Sequence, residues 1–428
     1  MPIRSLDSSP ESWDSTIKAN FQIITPMFLG GADQKASTIR STAIKGALRF
    51  WWRAIYWAEF YTGSKNDANS ALLAMAEAEA QLFGSVAGDH ACQSSFRLSV
   101  CDAKIEAKDL NLCSSKKPRH PDKYNVDPGS PVNYLLGQGL EGRNVLVRGS
   151  FQLELTFTNP NHQEKYSAAL LNALIALSIF GGLGARARHG WGSVSLTALT
   201  AGGAVVDYPK SLPELKQWIK ALPPFSDVPT PPFSAFSCKA KIDVVAKGSS
   251  AEDLLKAVGG EQQMYRSHGR SGKVGGKAAE KNFQDDYDLV KGFLNTDKID
   301  RLPRRAVFGL PHNYYYGSLY EENKNIKESN KNAALLAFKA EIAPKYEDRQ
   351  RRASPLFLHI QKFSGSQYLA IHTLLVADYL PAGEQILASY PLPNDSRRQR
   401  KKTFSFQSVD WDIIFTYLER FKYKESLL

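Results

Sequence analysis

Alternating apolar and polar residues recur through the first half of the chain. Phe21 and Ile23 share one side of residues 19–25. Phe96, Leu98 and Val100 alternate with Arg97 and Ser99. Phe151, Leu153, Leu155 and Phe157 alternate with Gln152, Glu154 and Thr156, and Val194, Leu196 and Ala198 with Ser193, Ser195 and Thr197. A period of two predicts half-buried strands, because successive side chains point to opposite faces of a sheet. Between these runs the pattern changes to helical spacing. Ile44, Leu48, Trp51 and Ile55 fall on one face of a helix predicted over residues 40–60. A second helix is expected around 71–83 and a nearly all-apolar one over 166–180. The order β-α-β-β-α-β, with an extra helix and a polar loop near 116–128, predicts an α+β fold of the ferredoxin-like (RRM-like) kind.

The stretch Leu222-Pro-Pro-Phe-Ser-Asp-Val-Pro-Thr-Pro-Pro-Phe233 cannot continue a helix or a central strand, and it reads as a linker. It divides the chain into a first module at 1–222, a linker at 223–233 and a second module at 234–428. After it the alternation restarts, with Phe236, Cys238, Ala240, Ile242 and Val244 against Ser237, Lys239, Lys241 and Asp243. Helices are expected over 251–258, 283–294 and 410–422. A hairpin should pair 356–362 with 367–377 across Ser364-Gly365-Ser366. The second half therefore reads as a degenerate copy of the first, giving two tandem ferredoxin-like modules with inserted helices and loops. Segments 267–281 and 396–402, charged and rich in glycine or arginine, read as loops.

The chain has 428 residues, and its 54 Lys and Arg against 43 Asp and Glu leave a formal charge of +11. That excess favours an acidic partner such as nucleic acid without selecting one. The cysteines Cys92, Cys101, Cys113 and Cys238 form no C-x-x-C pair and have no zinc-ligand spacing with histidine, so no metal or other cofactor is implied. The first ten residues contain no apolar signal-peptide core, and the most apolar stretch, 168–184, is too short and too polar for a membrane span. A cytoplasmic protein without membrane contact is expected.

Two segments carry the candidate chemistry. On the 40–60 helix, Lys45, Arg49 and Arg53 form a stripe at i+4 spacing beside the apolar face. Ser41 or Thr42 is a reasonable N-cap. No acidic residue occurs between Asp33 and Glu59, so the stripe has no local partner for its charge. Gly30-Gly31 and Ala36-Ser37-Thr38, just upstream, form a loop whose amides could hold phosphate together with the helix N-terminus. The second segment, Gly181-Gly-Leu-Gly-Ala-Arg-Ala-Arg-His-Gly-Trp-Gly192, is a glycine-rich turn. Its Gly182, Gly184 and Ala187 fit G-x-G-x-x-A, but the turn follows a helix and opens a strand, the reverse of a dinucleotide fingerprint. Glycines beside Arg186, Arg188 and His189 suit close approach to a phosphate backbone. The stretch Gly269-Arg-Ser-Gly-Lys-Val-Gly-Gly-Lys277 fails the P-loop spacing, because Ser271 lies five residues before Gly276 and Ala278 follows the lysine.

Together these residues resemble the RAMP superfamily of CRISPR-associated proteins, and within it the first subunits of type III-B Cmr RNA-silencing complexes. The resemblance rests on Thr25-Pro-Met-Phe-Leu-Gly-Gly31, Ser41-Thr-Ala-Ile-Lys-Gly-Ala-Leu-Arg-Phe-Trp-Trp-Arg53, Leu82-Phe-Gly-Ser85, Gly182-Leu-Gly184 with Gly190-Trp-Gly-Ser-Val194, Phe308-Gly-Leu-Pro311 and Arg352-Ala-Ser-Pro-Leu356. It implies tandem ferredoxin-like modules and a non-catalytic role in antiviral defence. The partners would be CRISPR guide RNA near its 3′ region, single-stranded target RNA, and other subunits of the Cmr effector complex. On this reading Lys45, Arg49 and Arg53 bind phosphates and Trp52 or Tyr56 stacks on bases. Gly182, Gly184, Arg186, Arg188, His189 and Gly190 would hold RNA backbone. Two alternatives remain: a metal-independent guide-processing ribonuclease with His189 as base, and a protein–protein scaffold. For the ribonuclease, flanking arginines should depress the His189 pKa, and only a residue from elsewhere, such as His312 or Tyr314, could supply the missing acid.

Overall fold

The computed structural model describes residues 14–31, 38–86, 91–114, 116–269, 271–316, 339–345, 351–363, 365, 367–392 and 395–428. The 36–38 part of the expected phosphate loop, and the Ser364 and Ser366 positions of the expected hairpin turn, fall wholly or largely outside them.

The first half contains β1 (Thr16–Ile23), α1 (Ser41–Gly63), α2 (Ala68–Phe83), β2 (Phe96–Leu112), β3 (Tyr124–Val126) and α3 (Pro131–Leu136), then β4 (Asn144–Phe157), α4 (Pro160–Phe180), β5 (Val194–Ala201), β6 (Ala204–Val205) and α5 (Leu212–Lys220). Its sheet has the order β3-β2-β4-β1-β5-β6. β1 runs antiparallel between β4 and β5, with Phe21 opposite Phe151 on one side and Leu196 on the other. The apolar positions of these strands meet α1 and α4. Ile44, Leu48, Trp51 and Ile55 are all buried, as the helical spacing predicts. The α1 N-terminus differs from expectation: its cap position is Arg40, with no side chain bonded to the first turn.

The second half contains β7 (Lys241–Gly248), α6 (Ala251–Arg266), β8 (Lys273–Val274), β9 (Lys277–Ala278), α7 (Gln284–Thr296), β10 (His312–Tyr315) and β11 (Lys339–Pro344), then β12 (Leu356–Lys362), β13 (Tyr368–Leu374), β14 (Ile386–Leu392), β15 (Asp395–Phe404), α8 (Asp412–Leu418) and β16 (Glu425–Ser426). One sheet has the order β12-β13-β7-β16, and a second, β10-β11-β14-β15, is built from two insertions. The main sheet of each half thus follows one plan. Its first strand lies between its third and fourth, and its second strand lies outside the third.

Three expectations change here. Segment 396–402 belongs to β15, where Tyr390 pairs with Arg400 and Ala388 with Lys402. Charge did not prevent pairing, because an edge strand needs only its backbone bonds on one side and tolerates lysine and arginine well. Helix α6 runs to Arg266 instead of ending at 258. A Cβ at Gly259 would meet Pro131 O at 2.6 Å, so this glycine admits close packing against α3 and does not break the helix. The proline-rich stretch is a packed strap. Trp57 and Phe233 rings meet at 5.2 Å, Phe225 and Phe236 at 5.3 Å, and Phe236 N donates to Ala54 O at 3.0 Å.

The halves share their cores. Phe357, Leu369, Ile371, Leu375 and Leu427 join the cluster of the first half, while Phe28 and Trp191 join that of the second. No helix among the described residues is long and apolar enough to cross a membrane.

Candidate nucleic-acid interface

The glycine-rich turn sits at the seam between the two halves. Thr25 Oγ1 donates to Gly190 O at 2.7 Å and accepts from Ser193 N at 2.8 Å. Gly192 N donates to Pro26 O, Leu183 N to Gly192 O and Ala185 N to Phe28 O, each at 2.9 Å. The outer edge of β12 closes against this turn. Leu358 N donates to Arg188 O at 3.0 Å, Ile360 N to Ser193 Oγ at 3.1 Å and Lys362 N to Ser195 Oγ at 3.3 Å. Ser195 on β5 and Ser193 just before it keep the polar phase of the alternation, yet both are buried, because that face meets the second module instead of water.

The glycines are required by protein neighbours. A Cβ at Gly184 would lie 2.6 Å from Phe28 O, at φ +89°. At Gly190, φ +82°, it would lie 2.7 Å from Leu255 Cδ2 and 2.9 Å from Leu358 Cδ2. At Gly182 it would meet Trp191 O at 3.1 Å. Arg188 stacks between the halves, with its guanidinium carbon 5.4 Å from the Phe50 ring centre and 4.4 Å from that of Phe357, and donates to Ser354 O. Burial pushes its pKa down to about 10, so it keeps its charge near neutral pH.

Arg186 and His189 face a cavity of about 240 Å³, lined also by Tyr134, Leu135, Gly137, Gln262 and Arg266. None of these residues is acidic. Arg186, at φ +65°, donates from Nε to Leu136 O at 2.6 Å and from its terminal nitrogen to Gln138 O, which holds it against the end of α3. Arg266 closes α6 with its guanidinium over Phe308 at 4.4 Å, and its Nε has no partner among the described residues. The charges of Arg143 and Arg351 also reach Arg186. Such a concentration of guanidinium without carboxylate fits a phosphate-bearing ligand. The His189 pKa is pushed down to about 3, first by desolvation and then by Arg266, Arg186 and Arg188. The direction matches the sequence expectation, but burial outweighs the arginine charge. The ring is neutral near pH 7 and offers a hydrogen bond rather than a cation.

The α1 stripe lies elsewhere and is not free of partners. Glu79 of α2, 7% exposed, accepts from Arg49 Nε at 2.8 Å and sits 3.6 Å from Arg53 Nη1. Lys45 lies over the Phe96 ring at 5.2 Å. The local absence of acidic residues was therefore misleading, since the partner arrives from the next helix. Trp52 is 4% exposed, enclosed by Tyr56, Phe60 and Phe83. It has no face to offer a base, which corrects that expectation. Half-buried Tyr56 accepts from Asn172 at 3.0 Å.

Arg266, Gln262 and Tyr134 were missed by sequence reasoning. A lone arginine at a helix end and a tyrosine in a short inserted helix carry no periodic signal. Only the packing of α6 on α3 brings them to Arg186.

Residues 20–195 match the RAMP superfamily. The chain is 26% identical over 191 residues to the CRISPR system Cmr subunit Cmr1-2 of Pyrococcus furiosus, an alignment spanning 42% of this chain and 94% of that relative. The crystal structure of apo Cmr1 from Pyrococcus furiosus aligns over 96% of this chain and 98% of its own, with 17% identity and a TM-score of 0.53, a likeness of fold. A chain of the type III-B Cmr-beta complex bound to cognate target RNA aligns over 95% of this chain and 99% of its own, with 12% identity and a TM-score of 0.47. The RAMP match covers the glycine turn and α1 but not α6, so the junction cavity combines RAMP residues with residues outside the match.

Proposed function

We propose that this chain is a non-catalytic, single-stranded-RNA-binding subunit of a type III-B CRISPR effector complex, contacting the guide 3′ region, the target RNA or both, alongside other Cmr subunits. The observation that carries the reading is the junction cavity, where Arg186 and Arg266 converge from the two halves with no carboxylate in the lining. The RAMP match and the Cmr1-2 relative support the assembly context. We read the two main sheets as tandem ferredoxin-like modules, because each places its strands in the order 2-3-1-4 of a β-α-β-β-α-β unit. RNA phosphate lies against Arg186 and Arg266, with His189 and Tyr134 as neutral neighbours. The Lys45, Arg49 and Arg53 stripe has a weaker, secondary role, since Glu79 offsets part of its charge.

The ribonuclease reading is less favoured. Both His189 and His312 are held neutral by burial and arginine charge, so neither brings a proton for a leaving oxygen near pH 7.

Affinity for single-stranded RNA, measured across salt concentrations, tests the proposal. The logarithm of affinity should fall with log salt at about 0.7 per phosphate contact. Arg266→Ala should weaken binding about tenfold and lower that slope by about 0.7, with little sequence preference. A flat salt response would leave the scaffold reading.

A further inference from the structure

The glycine segment that fails as a P-loop continues directly from the junction cavity. Arg266 ends α6 and lines that cavity, and the following residues fold into the β8–β9 hairpin. The hairpin is anchored. Val274 is 6% exposed, Ala279 N donates to Gly272 O at 2.8 Å, and Asn282 Nδ2 donates to Tyr265 O at 3.1 Å. A Cβ at Gly269, φ +67°, would lie 2.1 Å from Lys273 O, so glycine alone closes this loop.

Its exposed positions have different chemistry and lie on both faces. Val274 pairs with Lys277 and Lys273 with Ala278, so the two strand lysines flank the glycine tip from opposite sides. Lys273, Lys277 and Lys281 are exposed and form no ion pair among the described residues. The nearby carboxylates Glu280 and Glu261 are already held by Arg420, at 2.6 Å and 3.2 Å. At the tip, Gly275 and Gly276 present bare backbone, with open space for 4 Å around the point where a Cβ would stand. Beside the hairpin, the half-buried Tyr287 ring stands 4.9 Å from His268 and 4.5 Å from Tyr316. Unpaired lysines and side-chain-free backbone suit a polyanion, and the half-buried Tyr287 and His268 rings leave some aromatic surface for its flat bases, whereas Tyr316 is buried behind them.

We propose that the β8–β9 hairpin is a second RNA contact, where the strand leaving the junction cavity passes its phosphates over the bare Gly275-Gly276 tip, between Lys273 on one face and Lys277 on the other. The proposal rests on the reading of that cavity as an RNA site. It predicts a dependence on strand length, because a short RNA fills the cavity without reaching the hairpin.

The test compares the full chain with its Lys273→Ala/Lys277→Ala variant on a trinucleotide and on a strand of about 15 nucleotides. Both lysines are exposed, so thermal melts should coincide. The variant should bind the long strand at least about fivefold more weakly, with a salt slope lower by about 1.4, and bind the trinucleotide unchanged. Unaltered affinity and slope for the long strand would overturn the hairpin as a contact, as would an equal loss on both RNAs. If the unmodified protein binds neither RNA, the cavity reading fails and the hairpin proposal falls with it.

Discussion

Single residues of the turn explain why the glycines stand where they do. At Gly190 any side chain would press on Leu255 and Leu358 from the other module, at a φ that L-residues rarely adopt. Gly190→Ala should therefore cost on the order of 1–3 kcal/mol and lower Tm. If the variant melts like the unmodified protein and binds RNA less well, the glycine serves RNA and not packing. Buried histidines set the pH response. His359 donates from Nδ1 to Gly181 O at 2.5 Å, and His372 contacts Tyr417 OH at 3.3 Å; burial pushes both pKa values down to about 4. An unfolded chain, whose histidines titrate near 6.5, binds more protons between pH 6.5 and 4. Stability should fall on acidification through that window, by on the order of 1 kcal/mol per histidine per pH unit, and be fully present above it. Melting at pH 7.5 and 5.5 checks this. His372→Gln should flatten the dependence, and an unchanged slope would show that the histidine does not titrate on unfolding.

At the scale of elements, α1 and α2 act as one unit through Glu79. Removing Arg49 and Arg53 together strands a nearly buried carboxylate, so the double Ala variant should lose about 1–3 kcal/mol even though both arginines are partly exposed. Adding Glu79→Leu should restore most of that loss. Thermal melts of the two variants decide it: equal melting of the double variant and the unmodified protein would show the pairing to be idle. The apolar face of α1 was legible because helical spacing depends only on local sequence, and Ile44, Leu48, Trp51 and Ile55 are buried accordingly. The acidic partner was not legible, because it lies 30 residues beyond Arg49. Trp52 follows the same logic, since α2 and Phe83 close over a face that the helix alone would leave open.

For the whole molecule, the shared cores predict cooperative behaviour. The Phe357 ring of β12 meets that of Trp51 at 5.4 Å, and Trp191 of the first half meets Phe28 inside the core of the second. Calorimetry of the full chain should show one transition with calorimetric and van't Hoff enthalpies in agreement. The first module expressed alone, to residue 222, should be strongly destabilised or aggregate, because Phe357, Leu369 and Ile371 no longer cover it. Two separate transitions in the full chain would instead make the seam a weak docking surface.

Periodicity and turn chemistry determined much of this protein locally: the alternation of β1, β2, β4 and β5, the buried stripe of α1, the apolar α4, and a second half that restarts the pattern. Each of these follows from forces acting within a few residues along the chain. The tertiary structure decided what covers each face. Ser193 and Ser195 alternate like solvent-facing residues but seal the edge of β12, and Arg188 looks like a phosphate ligand but is stacked on Phe357. Arg266 carries no motif, yet it meets Arg186 across the seam. A side chain's polarity shows that it needs a polar partner. Whether that partner is water, RNA or another strand depends on contacts between residues far apart in sequence, which no local pattern contains.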